Sequence, residues 1–137
     1  VKIPITKEGI KAVSVLSSED IMCNMTLCFS ANQALLAAKA GAKYVSPFIG
    51  RINDSGHDGM NLIEEIRKIY DNYNFRTKIL AASIRSADDV LDCAKLGSDV
   101  ITVPYKVFEK LYYNPLTDVG LEKFKKDWEE YMKKKEE

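Results

Sequence analysis

The chain of 137 residues is long enough for one domain, and its apolar content of 46% is sufficient for a hydrophobic core. Its 20 basic and 20 acidic residues balance to a net charge of zero, which argues against the strongly basic surface typical of nucleic-acid binding. No apolar run approaches the ~20 residues of a membrane-spanning helix, and no signal peptide is visible. We therefore expect a soluble, cytoplasmic protein without membrane partners.

Short β-rich runs alternate with helical patterns along the whole chain. In order, the sequence predicts a strand at 1–4, a helix at 7–16, a strand at 21–29, a helix at 31–40, a strand at 44–48, a helix at 59–70, a strand at 78–83, a helix at 87–96 and a strand at 99–103. Gly41 and Gly97 follow two of these helices, in the position that favours glycine after a helix end.

The stretch at 116–137 has a different pattern. Leu121, Phe124, Trp128 and Tyr131 recur at helical spacing, with lysines and acidic residues between them. This pattern predicts an amphipathic helix that needs a surface to bury its apolar stripe. We expect residues 1–115 to form the main α/β unit and residues 116–137 to make a subunit contact.

Strand–helix alternation with short connections indicates parallel strands and an α/β fold. An open doubly wound sheet and a (β/α)₈ barrel both fit this pattern, although no Gly-x-Gly-x-x-Gly follows a strand, which weakens the dinucleotide-binding version. A complete barrel has eight strands and typically ~250 residues. With five predicted strands, the chain is expected to be part of a barrel.

The cysteines and the single histidine indicate no metal chemistry. Cys23, Cys28 and Cys93 lack the spacing of a zinc or redox motif, and we interpret them as free thiols that pack as small core residues. Cys23 and Cys28 have opposite parity, so on one regular strand they would face opposite sides. We expect no metal and no cofactor.

Polar side chains recur near the carboxyl ends of consecutive predicted strands. They are Asn24 and Thr26 on the second strand, Ser46 with Phe48 and Arg51 at the third, and Ser83 with Arg85 at the fourth. Residues two apart on a strand share a face, and α/β barrels place their active sites at these strand ends. Three such sets in register favour a common site.

Each candidate also has an ordinary structural interpretation. Lys2, taken alone, is most simply a solvated lysine, and Asn24 and Thr26 are interior groups bonded to backbone in about half of such cases. Arg51 and Arg85 have the usual alternative of surface ion pairs, and Phe48 that of core packing. In the loop at 53–59, Asp54 or Asp58 is expected to cap the next helix, with His57 as a loop residue.

Taken together, these residues resemble the small transaldolase and fructose-6-phosphate aldolase family. The matching stretches are VKIP at 1–4, NMTLCFS at 24–30, QALLA at 33–37, GA at 41–42, YVSPFIGR at 44–51, GHDG at 56–59, AASIR at 81–85, TVP at 102–104, PLTD at 115–118 and DW at 127–128. They cover nearly the whole chain in order, so the resemblance implies the last five strand–helix units of a (β/α)₈ barrel.

The resemblance implies a role for each candidate residue. Lys2 matches the lysine that forms a Schiff base with the ketone, and Thr26 matches the threonine that positions a proton-relaying water. Asn24 and Ser46 match groups that bind the hydroxyls of the dihydroxyacetone fragment. Arg51, Ser83 and Arg85 match the phosphate-binding set, for which guanidinium groups are well suited. A neutral lysine amine is required for the attack, and burial promotes that form.

Phe48 and Ser46 favour one of the family's two activities. The aldolase subgroup resembles this stretch but has tyrosine in place of Phe48 and tends to have alanine in place of Ser46. The expected function is therefore that of a transaldolase, which transfers dihydroxyacetone from sedoheptulose 7-phosphate or fructose 6-phosphate to an aldose phosphate in the pentose phosphate pathway. A fructose-6-phosphate aldolase is the alternative within the family.

The resemblance also implies three further strand–helix units before Lys2, which include the acidic residues for proton transfer. We expect this chain alone to show little or no turnover, and to be one part of a split barrel or an oligomer. An inactive fragment that binds sugar phosphates or only assembles is the alternative of another class. The resemblance further implies sugar phosphate substrates and a homo-oligomer, with pentamers or decamers in the family.

Overall fold

The computed structural model describes the backbone of residues 1–136 and the side chains of residues 1–135. In chain order the elements are β1 (Lys2–Pro4), α1 (Lys7–Ser18), β2 (Asn24–Cys28), α2 (Ala31–Lys39), β3 (Tyr44–Pro47), α3 (Ile49–Asp54), α4 (Gly59–Asn72), β4 (Lys78–Ala81), α5 (Ala87–Lys95), β5 (Val100–Ile101), α6 (Tyr105–Lys110) and α7 (Pro115–Glu136). Residue 137, the last of the predicted final helix, lies outside the described residues.

The five described strands form one parallel sheet in the order β1-β2-β3-β4-β5. A doubly wound sheet reverses its strand order at a switch point, and this sheet does not. The strictly sequential order is that of a (β/α)₈ barrel. The α/β prediction is confirmed, and the five-stranded sheet is consistent with part of such a barrel.

The core lies between the sheet and the helices. Register pairs Met25 with Val45 and Val45 with Ile79, and all three side chains are completely buried against helix residues. Tyr70 of α4 is buried in the same layer, where its hydroxyl donates to the carbonyl of Ala34 over 2.8 Å. This bond fixes α4 to α2 and satisfies a polar group that burial would otherwise destabilise.

The predicted helix ends and caps are confirmed in detail. Gly41 and Gly97 follow the C-caps of α2 and α5 with φ values of 86° and 82°, a region that favours glycine. Of the two aspartates that were candidates for the cap of α4, Asp58 has this role. Its Oδ1 accepts from the backbone N–H of Met60 over 2.9 Å.

Two short helices were missed, and all five strands were predicted too long, three of them by two residues or more. Helices α3 and α6 have six residues each, and neither has a side-chain N-cap hydrogen bond, so they show neither an apolar period nor a start signal. Strand β4 ends before Ser83, whose φ of 61° is incompatible with extended backbone. Strands β2 and β5 likewise cover only part of 21–29 and 99–103.

The regular alternation expected for the second strand was also wrong. The pairing of β2 with β3 shifts register between Met25 and Cys28, and Leu27 has a φ of 61°. Such a bulge changes which side the next residue faces. Cys28 is therefore completely buried, as Cys23 almost is, although their parity is opposite. The prediction that all three cysteines are free and buried is confirmed.

The helix predicted at the C-terminal end is confirmed by α7, whereas the surface expected to bury its apolar stripe stays a prediction. Its apolar side chains are exposed: Phe124 is 70% accessible, Trp128 62% and Tyr131 55%. None of the helices in residues 1–136 combines the length and apolar composition that crossing a bilayer requires.

Candidate functional site

The sheet has a second face, on which polar residues line up across neighbouring strands. Lys2 is the register partner of Asn24, and Asn24 is the partner of Tyr44. Because side chains alternate along a strand, these residues face away from Met25 and Val45. We call this side of the sheet the open face.

Lys2, Asn24 and Ser46 form the first part of the site. The hydroxyl of Ser46 donates to Oδ1 of Asn24 over 2.8 Å, which joins β3 to β2 directly beside the lysine. Ser46 is only 1% accessible and Asn24 is half-buried. Lys2 is exposed, which differs from the burial expected for a lysine that must lose its proton. Within residues 1–136, β1 has only β2 beside it, so one flank of Lys2 faces solvent.

Thr26 lies on the open face one pleat further along β2. Thr26 is 8% accessible, and its Oγ1 atom has no hydrogen-bond partner among the described residues. A buried hydroxyl without a partner costs roughly 1–3 kcal/mol. The alternative that the Thr26 hydroxyl is hydrogen-bonded to the backbone is therefore not supported. The hydroxyl can still donate and accept hydrogen bonds with a bound molecule.

Ser83 and Arg85 form the second part of the site, beside α3. The backbone bridge between Phe48 and Ala82 joins the end of β3 to the end of β4. Directly afterwards, the N–H groups of Ile49 and Gly50 donate to the carbonyls of Ala82 and Ser83, each over 3.0 Å. These bonds hold the first turn of α3 against the loop that follows β4.

Gly50 makes this close approach feasible. A Cβ atom added to Gly50 would clash with the Ser83 carbonyl oxygen and would lie 2.7 Å from Nε of Arg85 and 2.8 Å from Oγ of Ser83. The guanidinium of Arg85 and the hydroxyl of Ser83 thus converge on one bare Cα atom. Gly50 was not among the predicted site residues, although its position directly before Arg51 and just after a strand was a usable signal.

The two arginines have different environments. Nη2 of Arg85 donates to Oδ2 of Asp54 over 2.8 Å, and both side chains are more than half exposed. The ion-pair alternative is therefore confirmed for Arg85. The Arg51 guanidinium lies 5.0 Å from the ring centroid of Phe48, a cation–π distance. Phe48 also contacts Phe29, with 5.8 Å between ring centroids.

Arg51 also borders a groove of about 860 Å³ between α2, α3 and α4. Polar groups on its wall include Ser30, His57, Asn61 and Glu65. Oγ of Ser55 and Nδ1 of His57 are 3.1 Å apart. His57 lies in the loop between α3 and α4, as predicted. No group of three or more His, Cys, Asp or Glu residues within 1–136 has the arrangement of a metal site.

Lys2 and Asn24 begin β1 and β2, so the predicted position near a carboxyl end does not hold for Asn24. The fold and this geometry define a class: an α/β unit with amine, amide and hydroxyl groups on one face of a parallel sheet, and with guanidinium groups just after two of its strands. The model of the family "Transaldolase/Fructose-6-phosphate aldolase" matches residues 1–135. This chain belongs to that family, and the predicted resemblance is confirmed.

Curated relatives support the same assignment. A probable transaldolase of Kosmotoga olearia is 60% identical over 133 residues, which are 97% of this chain and 61% of the relative. One of Hydrogenobaculum sp. is 58% identical over 98% of this chain and 62% of the relative. A probable transaldolase of Methanococcus maripaludis is 56% identical over 96% of this chain and 61% of the relative. The chain thus spans about three fifths of the length of these relatives.

Among solved structures, the fold is similar to parts of larger α/β enzymes. A mandelate oxidase aligns with a TM-score of 0.52 at 22% identity, over 69% of this chain and 29% of that one. A flavocytochrome b2 variant aligns with a TM-score of 0.55 at 16% identity, over 69% of this chain and 25% of the other. At these identities the similarity shows the fold alone.

Proposed function

We propose that this chain provides the Schiff-base lysine and the substrate-binding face of a transaldolase. The reaction would transfer dihydroxyacetone from sedoheptulose 7-phosphate or fructose 6-phosphate to an aldose phosphate, in the pentose phosphate pathway of the cytoplasm. The main supporting observation is the pairing of Lys2 with Asn24, which also accepts from Ser46 over 2.8 Å. Because the chain spans about three fifths of its relatives, the activity of the whole protein is part of the proposal.

The proposed chemistry begins at Nζ of Lys2. The neutral amine adds to the ketone carbon of the donor, and loss of water gives an iminium ion. The bond between the α and β carbons of the iminium, which is C3–C4 of the ketose, then breaks, because its electron pair moves toward the positive nitrogen. The aldose leaves as its hydroxyl loses a proton, and the enamine that remains on Lys2 attacks the acceptor aldehyde. Hydrolysis of the new iminium returns the free amine.

The groups around Lys2 are suited to hold the three-carbon fragment. Asn24 and Ser46 offer an amide and a hydroxyl to the dihydroxyacetone hydroxyls, and their mutual bond orients both. Oγ1 of Thr26 is buried without a protein partner in the described residues, which suits a hydroxyl that positions a water for proton transfer. These assignments make Lys2 and Thr26 catalytic, and Asn24, Ser46 and Phe48 substrate-binding.

The phosphate at the far end of the sugar is assigned to Arg51, Ser83 and Arg85. Arginine groups bind phosphate oxygens with charge-assisted hydrogen bonds, and a serine hydroxyl adds a donor. The convergence of Ser83 and Arg85 on the bare Cα of Gly50 supports this assignment. Arg51, whose guanidinium lies over Phe48, follows the end of the neighbouring strand β3 and would have to reach the same phosphate from there.

Phe48 is the basis for choosing transaldolase over the alternative, a fructose-6-phosphate aldolase. A tyrosine here would add a hydroxyl beside the site, and Phe48 is half-buried between Phe29 and Arg51. In a chimera that joins this chain to the part of a relative it does not span, Phe48→Tyr should increase aldol cleavage without an acceptor. Rates with and without acceptor aldose test this, and an unchanged ratio would remove the preference for transfer.

A homo-oligomer is part of the proposal. The exposed apolar residues of α7, including Phe124 and Trp128, suit a contact with a second copy. Sedimentation velocity should show an assembly, and Trp128→Ser should shift it toward monomer. A monomeric wild-type chain at micromolar concentration would contradict this assignment.

Borohydride trapping tests the Schiff base on the chain itself. With fructose 6-phosphate or dihydroxyacetone, trapping should add the mass of the sugar less one oxygen atom to the wild-type chain, because condensation releases water and reduction adds two hydrogens. Lys2→Ala should remove the adduct. Lys78→Ala is the matched control, since Lys78 is an exposed lysine at the start of another strand of the same sheet. Failure of the wild-type chain to form an adduct would favour the alternative of an inactive binding or assembly fragment.

A further inference from the structure

Arg85 is held at two points of α3. Its Nε atom lies beside the Cα of Gly50, and its Nη2 donates to Oδ2 of Asp54 over 2.8 Å. Gly50 and Asp54 are four residues apart on α3, so they lie on the same side of the helix. The guanidinium therefore extends along one helix face instead of pointing freely into solvent.

Stability does not account for this ion pair. The side chains of Arg85 and Asp54 are 57% and 61% accessible, and exposed pairs typically contribute ~0–1 kcal/mol. The neighbouring carboxylate of Asp89 is already engaged, because its Oδ2 accepts from the backbone N–H groups of Arg85 and Ser86. Asp54 is thus the carboxylate that contacts the Arg85 guanidinium within the described residues.

We propose that Asp54 and Gly50 are positioning residues that orient Arg85 toward the sugar phosphate. This inference rests on the proposed function, since it needs Arg85 to be a phosphate ligand. The single contact from Nη2 leaves most of the five guanidinium N–H groups available for phosphate oxygens. Nε of Arg85 and Oγ of Ser83 lie 2.7 and 2.8 Å from the point where a Cβ of Gly50 would stand, which is close enough for the guanidinium donors and the hydroxyl to serve one anion.

Holding a flexible arginine in advance lowers the entropic cost of binding. If the Asp54 carboxylate instead competed with phosphate for Arg85, its removal would free the guanidinium and strengthen phosphate binding. Titration of the chain with inorganic phosphate, followed by NMR chemical shifts, separates these two effects. Asp54→Asn should weaken phosphate binding roughly threefold to tenfold, whereas a competitor's removal would tighten it.

The variants form a matched set. Arg85→Ala should weaken phosphate binding more than Asp54→Asn, and Asp54→Glu should restore part of the affinity. Asp92→Asn is the control, because it removes another exposed aspartate ion pair, with Lys95, away from this loop. Gly50→Ala would force a methyl group against the Ser83 carbonyl and is expected to disrupt the loop, so the Asp54 variants decide the test.

Borohydride trapping adds a readout that a purely structural role would not move. Asp54→Asn should lower adduct formation with fructose 6-phosphate at limiting concentration, while adduct formation with unphosphorylated dihydroxyacetone stays unchanged. Equal losses with both compounds, or phosphate binding that is unchanged or tighter in Asp54→Asn, would overturn the positioning role. Phosphate binding that does not depend on Arg85 would overturn the phosphate assignment itself, and this inference with it.

Discussion

The two faces of the sheet differ in what their residues contribute. On the helix-covered face, Met25, Val45 and Ile79 are completely buried in one apolar cluster. On the open face lie Lys2 of β1 and Asn24 of β2, which are register partners. Neighbouring residues of one strand thus belong to two different environments, because successive side chains point in opposite directions.

This difference separates the residues that stabilise the fold by packing from those that do not. Burial of the apolar face stabilises the fold by roughly 25 cal/mol per Å² of apolar surface, and the same gain would be available from apolar residues on the other side. An amine, an amide and a buried hydroxyl without a partner gain nothing from such burial. We therefore expect substitutions on the helix-covered face to change stability, and those on the open face to change chemistry.

The largest expected stability effect is on the helix-covered face. Ile79→Ala removes a completely buried side chain and should lower the free energy of unfolding by about 2–5 kcal/mol. Lys78→Ala, one residue earlier and exposed on the open face, should change it by less than about 0.5 kcal/mol. Urea unfolding followed by circular dichroism measures both. Similar losses in the two variants would contradict the division between the faces.

Alkaline pH gives a second test of the helix-covered face. Burial raises the pKa of the Cys28 thiol from its ordinary 9.0 to about 11, partly offset by its hydrogen bond to the Ser30 carbonyl. The unfolded chain loses this proton near pH 9 while the folded chain retains it. Stability is therefore complete below about pH 9 and is lost as the pH rises through about 11.

The size of this alkaline effect is on the order of 2–3 kcal/mol for Cys28 alone. Burial also raises the pKa of Cys93 to about 11 and raises that of Tyr70, so these groups add to the decline. Urea unfolding from pH 8 to 11 should show a steeper loss in the wild-type chain than in Cys28→Ala. Parallel pH profiles would show that the Cys28 thiol does not contribute.

A smaller stability effect than that of Ile79→Ala is expected at Ser46 on the open face. Ser46→Ala removes the 2.8 Å bond to Asn24 and should cost about 1 kcal/mol, yet it should clearly reduce borohydride trapping. Ser18→Ala is the control, because its hydroxyl donates only to the nearby Val15 carbonyl on the exposed end of α1. Equal trapping in both variants would show that Ser46 is a structural residue.

Much of the fold could be predicted because local signals were unambiguous. The glycines after α2 and α5 and the aspartate cap of α4 each have a direct physical meaning and are confirmed, as is the helix α7. The parallel sheet followed from the alternation of elements. Helices α3 and α6 could not be predicted, because six residues without a side-chain cap leave no periodic pattern.

Only part of the geometry of the candidate site could be predicted from the sequence. The alignment of Asn24 with Ser46 followed from strand parity. The bulge at Leu27 and the left-handed backbone of Ser83 could not be predicted, because neither position is glycine. The pairing of Arg85 with Asp54, 31 residues earlier, depends on how closely α3 approaches the loop after β4. The roles assigned to these residues stay predictions.

Mapping the reduced adduct tests the account most directly. After borohydride reduction of the wild-type chain with dihydroxyacetone, proteolysis and fragmentation mass spectrometry identify which of its lysines has reacted. The account predicts a modification confined to Lys2, on the strand paired with Asn24, and its loss in Lys2→Ala. Modification at Lys78, or spread evenly over exposed lysines, would contradict the assignment of Lys2 as the Schiff-base lysine.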